Sequence, residues 1–170
     1  MSLVSNVEFK AARDIGNKVD ESKLTEAIIL TEKTELYDLL GEFLFDCITN
    51  KDSVAALWVD LFAGSTFTVN GETFIHDGLK AVVIDLAYSR YLSVLNPVFT
   101  PFGIAFKDSD DLERVDKETL NRLVTNAKKD ADAKMRVVKK YLEENSSSFL
   151  RYNKKDTPDF GLNQRRWRTL

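Results

Sequence analysis

Gly71 to Lys107 read GETFIHDGLKAVVIDLAYSRYLSVLNPVFTPFGIAFK. The stretch passes from a period of two to a period of 3.6 and then loses period altogether. Its first residues complete a hairpin: Thr66 to Val69 and Glu72 to Ile75 are β-formers on either side of Asn70-Gly71, the dipeptide that most favours a type I′ turn. A two-residue loop sets Val69 opposite Glu72, Thr68 opposite Thr73 and Phe67 opposite Phe74, so the two phenylalanines share a face. A lone two-stranded ribbon is marginal in water, so this hairpin, residues 66–75, has to lean on helices or on another subunit.

Asp77 is placed to cap the helix that follows, whose apolar positions Leu79, Val82, Val83, Leu86, Ala87, Tyr91, Val94 and Leu95 form a broad stripe. Ile84 and Tyr88 fall nearly opposite it. A helix apolar on more than one side is buried on more than one side, either inside its own domain or between subunits. Asn96-Pro97 ends it, because the residue before proline is pushed out of the α region. The strap that follows, residues 97–107, carries Phe99, Phe102, Ile104 and Phe106 between two prolines and a glycine, and is therefore extended and a poor central strand. Two placements suit it: a buried loop over its own core, or an edge strand added to a neighbouring copy.

Upstream, Met1 to Lys18 has no clean period and reads as an arm, residues 1–19, ordered only if something holds it. Asp20 is an N-cap, and Leu24, Ile28, Leu36, Leu39, Leu40, Phe43, Leu44, Cys47 and Ile48 predict a long amphipathic helix with a candidate break near Thr31 to Thr34. Gly41 inside that pattern points to a close crossing of another backbone. Asp52 or Ser53 can cap the next helix, with Val54, Leu57, Trp58, Leu61 and Phe62 as its stripe and Gly64 as its terminator.

Downstream, Asp108-Ser109-Asp110-Asp111 lacks the glycine and glutamate of a calcium loop and reads as a turn. From Asp116 to about Glu144 runs the longest helix, roughly 40 Å at 1.5 Å per residue, apolar at Leu120, Leu123, Val124, Ala127, Ala131, Met135, Val138 and Leu142 and basic on its other side. Ser146-Ser147-Ser148 breaks it and opens a C-terminal arm, residues 146–170. There Phe149, Tyr152, Arg165, Arg166, Trp167 and Arg168 are candidate partner-binding residues. Protein binding is the favoured reading of this arm, with nucleic-acid binding and docking on its own domain as the others.

The fold class expected is mainly α: a small bundle of about four helices over residues 20–145 with a hairpin and an extended strap, flanked by two arms. At 170 residues, 44% apolar and 30% charged, the chain has material for one core. No stretch suits a membrane span or signal peptide, which suggests a cytoplasm-like compartment. Net charge is −6 over residues 1–60, −3 over 61–115 and +6 over 116–170. Such a dipolar chain suits head-to-tail self-association, although solvated helix faces would look the same. Cys47 reads as a small core residue. With one histidine, His76, one cysteine and no phosphate-cradling glycine loop, no metal site, nucleotide site or Cys-His pair can be assembled, and neither a cofactor nor an enzymatic activity is expected.

Several phrases carry a resemblance: Leu39-Leu40-Gly41-Glu42-Phe43-Leu44 at a helix end, the turn Asp77-Gly78-Leu79-Lys80, Ala87-Tyr88-Ser89-Arg90-Tyr91 in the central helix, Pro101-Phe102-Gly103-Ile104-Ala105-Phe106-Lys107, and then the long charged helix. In this order they resemble the head-tail connector (adaptor) proteins of tailed bacteriophages. Their aromatic and lysine-rich style is similar to versions from phages of gut Bacteroidetes, the crAss-like group among them. The resemblance runs from about Asp20 to Glu144 and leaves both arms unmatched. It implies a virion protein of the phage neck, assembled in the host cytoplasm. Twelve copies would form a ring beneath the portal protein, extend the channel for passing double-stranded DNA without sequence-specific contact, and offer a docking surface to tail or further neck proteins. The phenylalanines Phe67, Phe74, Phe99, Phe102 and Phe106, with Ile104, are then the expected subunit interface. Rival readings are a hexameric tail-completion ring, a non-viral helical binding module using its basic tail, and, last, a hydrolase.

Overall fold

In the computed structural model the residues described are 2–13, 20–95, 97–100, 103–106, 117–149 and 151–152, with the backbone alone for 94, 95, 97–100, 103–106 and 117. Phe102, the Asp108–Asp111 turn and the Arg165–Arg168 segment lie outside the described residues. The fold is mainly helical with a small antiparallel hairpin, as expected. Helices α1 (Asn6–Ala12), α2 (Glu21–Thr31), α3 (Tyr37–Leu40), α4 (Phe43–Thr49) and α5 (Ala56–Ala63) precede strands β1 (Ser65–Val69) and β2 (Glu72–His76). Helix α6 (Leu79–Leu95), strands β3 (Pro97–Thr100) and β4 (Gly103–Phe106), and helix α7 (Lys117–Glu144) follow.

Helix α6 is the axis of the domain. Leu79, Val82, Val83, Ile84, Leu86, Ala87 and Tyr91 are all buried, because α2, α5 and α7 of the same chain pack around it. Its apolar breadth is thus accounted for within the domain. Helix α7 runs antiparallel to it: Lys134 of α7 faces Asp77 and Asp85, whereas Tyr141, two turns further on, packs against His76.

The long helix predicted from Asp20 is divided at its candidate break near Thr31 to Thr34, and two other local expectations are corrected. A π-helical turn, Glu32–Leu36, follows α2, and Gly41, at φ +56°, ends α3. Buried positions in this stretch recur every four residues at Leu24, Ile28, Glu32, Leu36 and Leu40. Such a step drifts around a 3.6-residue helix, and one wider π turn restores it to the core face. Gly41 is a terminator, with no atom within 4 Å of where a Cβ would lie. The close backbone crossing occurs instead between Gly64 and Gly78, each of which would drive a Cβ into the other's loop. At α5 the N-cap is Ala55, without a side-chain cap, and Val54 is 94% exposed, outside the stripe.

Both arms contribute to the core. Ser5 and Glu8 form a reciprocal capping box that starts α1, and Leu3, Val4 and Phe9 are buried. What holds the N-terminal segment is Glu32: its buried carboxylate accepts hydrogen bonds from Leu3 N at 2.7 Å and Ser2 Oγ at 2.5 Å. At the other end the chain turns after α7 and lays Phe149 and Tyr152 on α4 and α5. The Phe43 ring lies 5.4 Å from Phe149 and 5.6 Å from Tyr152, and Trp58 lies 5.1 Å from Phe149. The expected arm boundary at Ser146 therefore cuts through the core, which includes Phe149 and Tyr152.

Candidate assembly surface

Asn70-Gly71 folds as the sequence requires, with φ of +51° and +84°, and the register sets Val69 opposite Glu72, Thr68 opposite Thr73 and Phe67 opposite Phe74. The two phenylalanine rings stack at 5.7 Å. Strand alternation turns both inward: Phe67 meets Tyr141 of α7 edge-on at 5.4 Å, and Lys140 lies 4.2 Å over the Phe74 ring. Phe67 and Phe74, expected at a subunit interface, are thus half-buried against their own α7. The outer face of the ribbon carries Thr66, Thr68, Thr73 and Ile75, the last 72% exposed.

Within the strap the backbone folds back on itself as a second antiparallel ribbon, pairing Pro97 with Phe106, Val98 with Ala105, Phe99 with Ile104 and Thr100 with Gly103. Among the described residues each ribbon is a two-stranded sheet paired with no third strand, so each has edges with free backbone groups.

Phe149 and Tyr152, expected on a partner-binding arm, are 1% and 6% exposed. Burial pushes the Tyr152 hydroxyl up to about 12, with Glu143 adding to the effect. These two rings belong to the core, so the partner-binding candidates left on the arm are Arg165, Arg166, Trp167 and Arg168.

Other polar groups inside the domain have structural explanations. Asp85 of α6 is buried between Arg13, which reaches it from the end of the N-terminal segment and also lies 4.9 Å over the Tyr88 ring, and Lys134 of α7 at 2.9 Å. These three line a cleft of about 420 Å³ with the small side chains Ala12, Ala81 and Ala133. His76 is buried, its Nε2 3.1 Å from Ser65 Oγ. That spacing would suit a nucleophile and its base, but the ring is packed 4.6 Å from the tilted Tyr141 ring and Nδ1 has no orienting partner among the described residues. Burial lowers the His76 pKa, against the pull of Asp60 and Asp77. Cys47 is fully buried and its thiol is pushed up by that burial, the state of an inert core residue. Among the described residues no group of histidine, cysteine or carboxylate side chains is placed to hold a metal ion, and no helix is long and apolar enough to cross a membrane.

Exposed apolar side chains make up the rest of the candidate surface. Tyr37 and Phe45 form an edge-to-face pair at 6.4 Å, 44% and 56% exposed, and Val59 of α5 is exposed as well. The sequence offered a signal for the outward residues: Phe45 falls off the Phe43-Leu44-Cys47 stripe, and Ile75 alternates with the inward Phe74. A signal existed for Asp85 too, since a lone carboxylate in an all-round apolar helix demands a cationic partner.

Residues 36–160 match the family described as "Family of unknown function (DUF6712)", and the chain belongs to that family. No curated protein and no solved structure matches it.

Proposed function

We propose that this DUF6712 member is a structural subunit of a phage neck: a head-tail connector that forms a ring of about twelve copies beneath a portal protein, extends the DNA channel and presents a docking surface to tail proteins. The observation that carries the reading is the pair of two-stranded ribbons. Among the described residues the first sits on α7 with its outer face and edges open, and the second pairs only with itself. Isolated ribbons are marginal, and open edges are completed by a strand from another chain. The acidic residues 1–115 and the basic residues 116–170 give the chain the charge asymmetry that suits heterologous contacts closing into a ring. The net negative subunit, −3 overall, would let duplex DNA pass without gripping it. In this reading the protein is not an enzyme, needs no cofactor and resides in the virion after assembly in the host cytoplasm.

Native mass measurement and negative-stain imaging of the chain co-expressed with a portal protein test this. A ring of about twelve copies seated on the portal is the expected result. A free ring of about six copies would instead identify a tail-completion protein, and a single copy that binds nucleic acid and ignores the portal would identify a binding module.

A further inference from the structure

We propose that a groove between the β1–β2 ribbon and the last turns of α7 holds the chain's own C-terminal arm, residues 153–170, through Arg165-Arg166-Trp167-Arg168. The groove encloses about 500 Å³. Val69 and Phe74 form its apolar wall, and among the described residues Glu72 of the ribbon and Glu144 of α7 bring carboxylates to it beside Glu143 and the ammonium of Lys140.

The arm has the complementary composition. Lys154, Lys155, Arg165, Arg166 and Arg168 stand against Asp156 and Asp159, with one tryptophan amid the arginines. Guanidinium groups pair with carboxylates through two parallel hydrogen bonds, and an indole buries its face on an apolar wall while keeping its N–H at the rim. The groove offers both surfaces side by side. Glutamates on α7 and on the ribbon turn give the arginines partners on two elements.

Reach permits the contact. The arm leaves at Tyr152, three residues after Phe149, and from there a ladder of rings leads to the groove: Phe149 to Tyr141 at 6.3 Å, Tyr141 to Phe67 at 5.4 Å and Phe67 to Phe74 at 5.7 Å. Residues 153–164 extended at about 3.3 Å each span roughly 40 Å, more than this path requires. Tethering also places the arm at a millimolar-scale effective concentration, so a weak intrinsic affinity suffices. The inference does not depend on ring formation.

The test uses the full chain with Val69→Cys and Thr169→Cys and a short bismaleimide at low protein concentration. Cys47 is buried and does not compete. The expected product is a cross-link within one copy, identified by mass. Its yield falls several-fold when Glu72→Lys and Glu144→Lys are added, or when Arg165, Arg166 and Arg168 are changed to glutamate, and recovers when both sets are combined. Circular dichroism checks that each variant folds. A cross-link formed only between copies, or an intramolecular yield indifferent to both charge reversals, would overturn the proposal, whatever the portal experiment shows.

Discussion

Lys134 reaches Asp85 at 2.9 Å across the α6–α7 contact, and the same carboxylate is met from its other side by Arg13 of the N-terminal segment. The three elements share one buried anion whose side chain is 2% exposed, while both cations keep more than a quarter of their side-chain surface in solvent. Burial falls on the carboxylate, so the outcome depends on which partner is removed. Arg13→Ala with Lys134→Ala strands a buried charge and is expected to cost about 3–5 kcal/mol in urea unfolding. Adding Asp85→Ala to that double variant is expected to restore part of the loss, because no uncompensated buried charge then remains. A triple variant less stable than the double would contradict this account.

The Gly64–Gly78 crossing makes a second, independent prediction. Both residues have positive φ, at +94° and +84°, and a Cβ on either would overlap the other loop's backbone. Gly41 also has positive φ, yet nothing lies within 4 Å of its Cβ position. Gly64→Ala and Gly78→Ala should therefore each cost more than about 3 kcal/mol or prevent folding, whereas Gly41→Ala should cost about 1–3 kcal/mol, the strain of its backbone at φ +56° and ψ −137° alone. Thermal melting of the three variants side by side provides the comparison.

What could be read from the residues was what depended on near neighbours. Asn70-Gly71 dictates its own turn, and the turn dictates a register that the ribbon adopts in full. The breadth of the α6 stripe and the burial of Cys47 follow equally from local pattern. Tertiary facts were hidden. A glycine in a helical pattern can end the helix or also admit another backbone, and only the meeting of two loops decides that Gly41 does the first alone whereas Gly64, which ends α5, does both. Phe149 and Tyr152 follow three serines and carry no period, so their docking on Phe43 and Trp58 depends on where α7 delivers them. Phe67 and Phe74 were correctly paired, but the face they occupy belongs to α7.

His76 gives a pH dependence. Burial lowers its pKa below the ordinary 6.5, with Asp60 and Asp77 opposing. Between the lowered value and 6.5 the unfolded chain binds the proton and the folded one does not, so stability is full above that range and falls as the pH drops through it. His76 is the chain's one histidine, and His76→Gln should flatten the stability curve there. Glu8 acts in a separate, more acid window. Burial tends to raise its carboxyl, but Lys80 at 2.6 Å and the Ser5 cap outweigh that and hold it at about 2. Its contribution is present above about 4.5 and disappears as the pH falls toward 2. Urea midpoints between pH 2 and 8 should resolve two steps, and persistence of the upper step in His76→Gln would count against this assignment.

Truncation separates core from arm. A chain ending after Asn145 loses Phe149 and Tyr152, rings that close over Phe43 and Trp58. Removing one large buried aromatic ring costs about 3–5 kcal/mol, so losing both approaches the whole stability of a small domain. A chain ending after Tyr152 keeps those rings and the Arg151–Asp46 ion pair at 3.3 Å, and should unfold within about 1 kcal/mol of the full chain. The expected order in urea is therefore the full chain and the 1–152 chain close together, with the 1–145 chain far below or unfolded. If portal docking uses the arm, only the 1–152 chain can reveal it, because it removes Arg165 to Arg168 while leaving the aromatic core closed. Equal stability of the 1–145 and 1–152 chains would return Phe149 and Tyr152 to the arm.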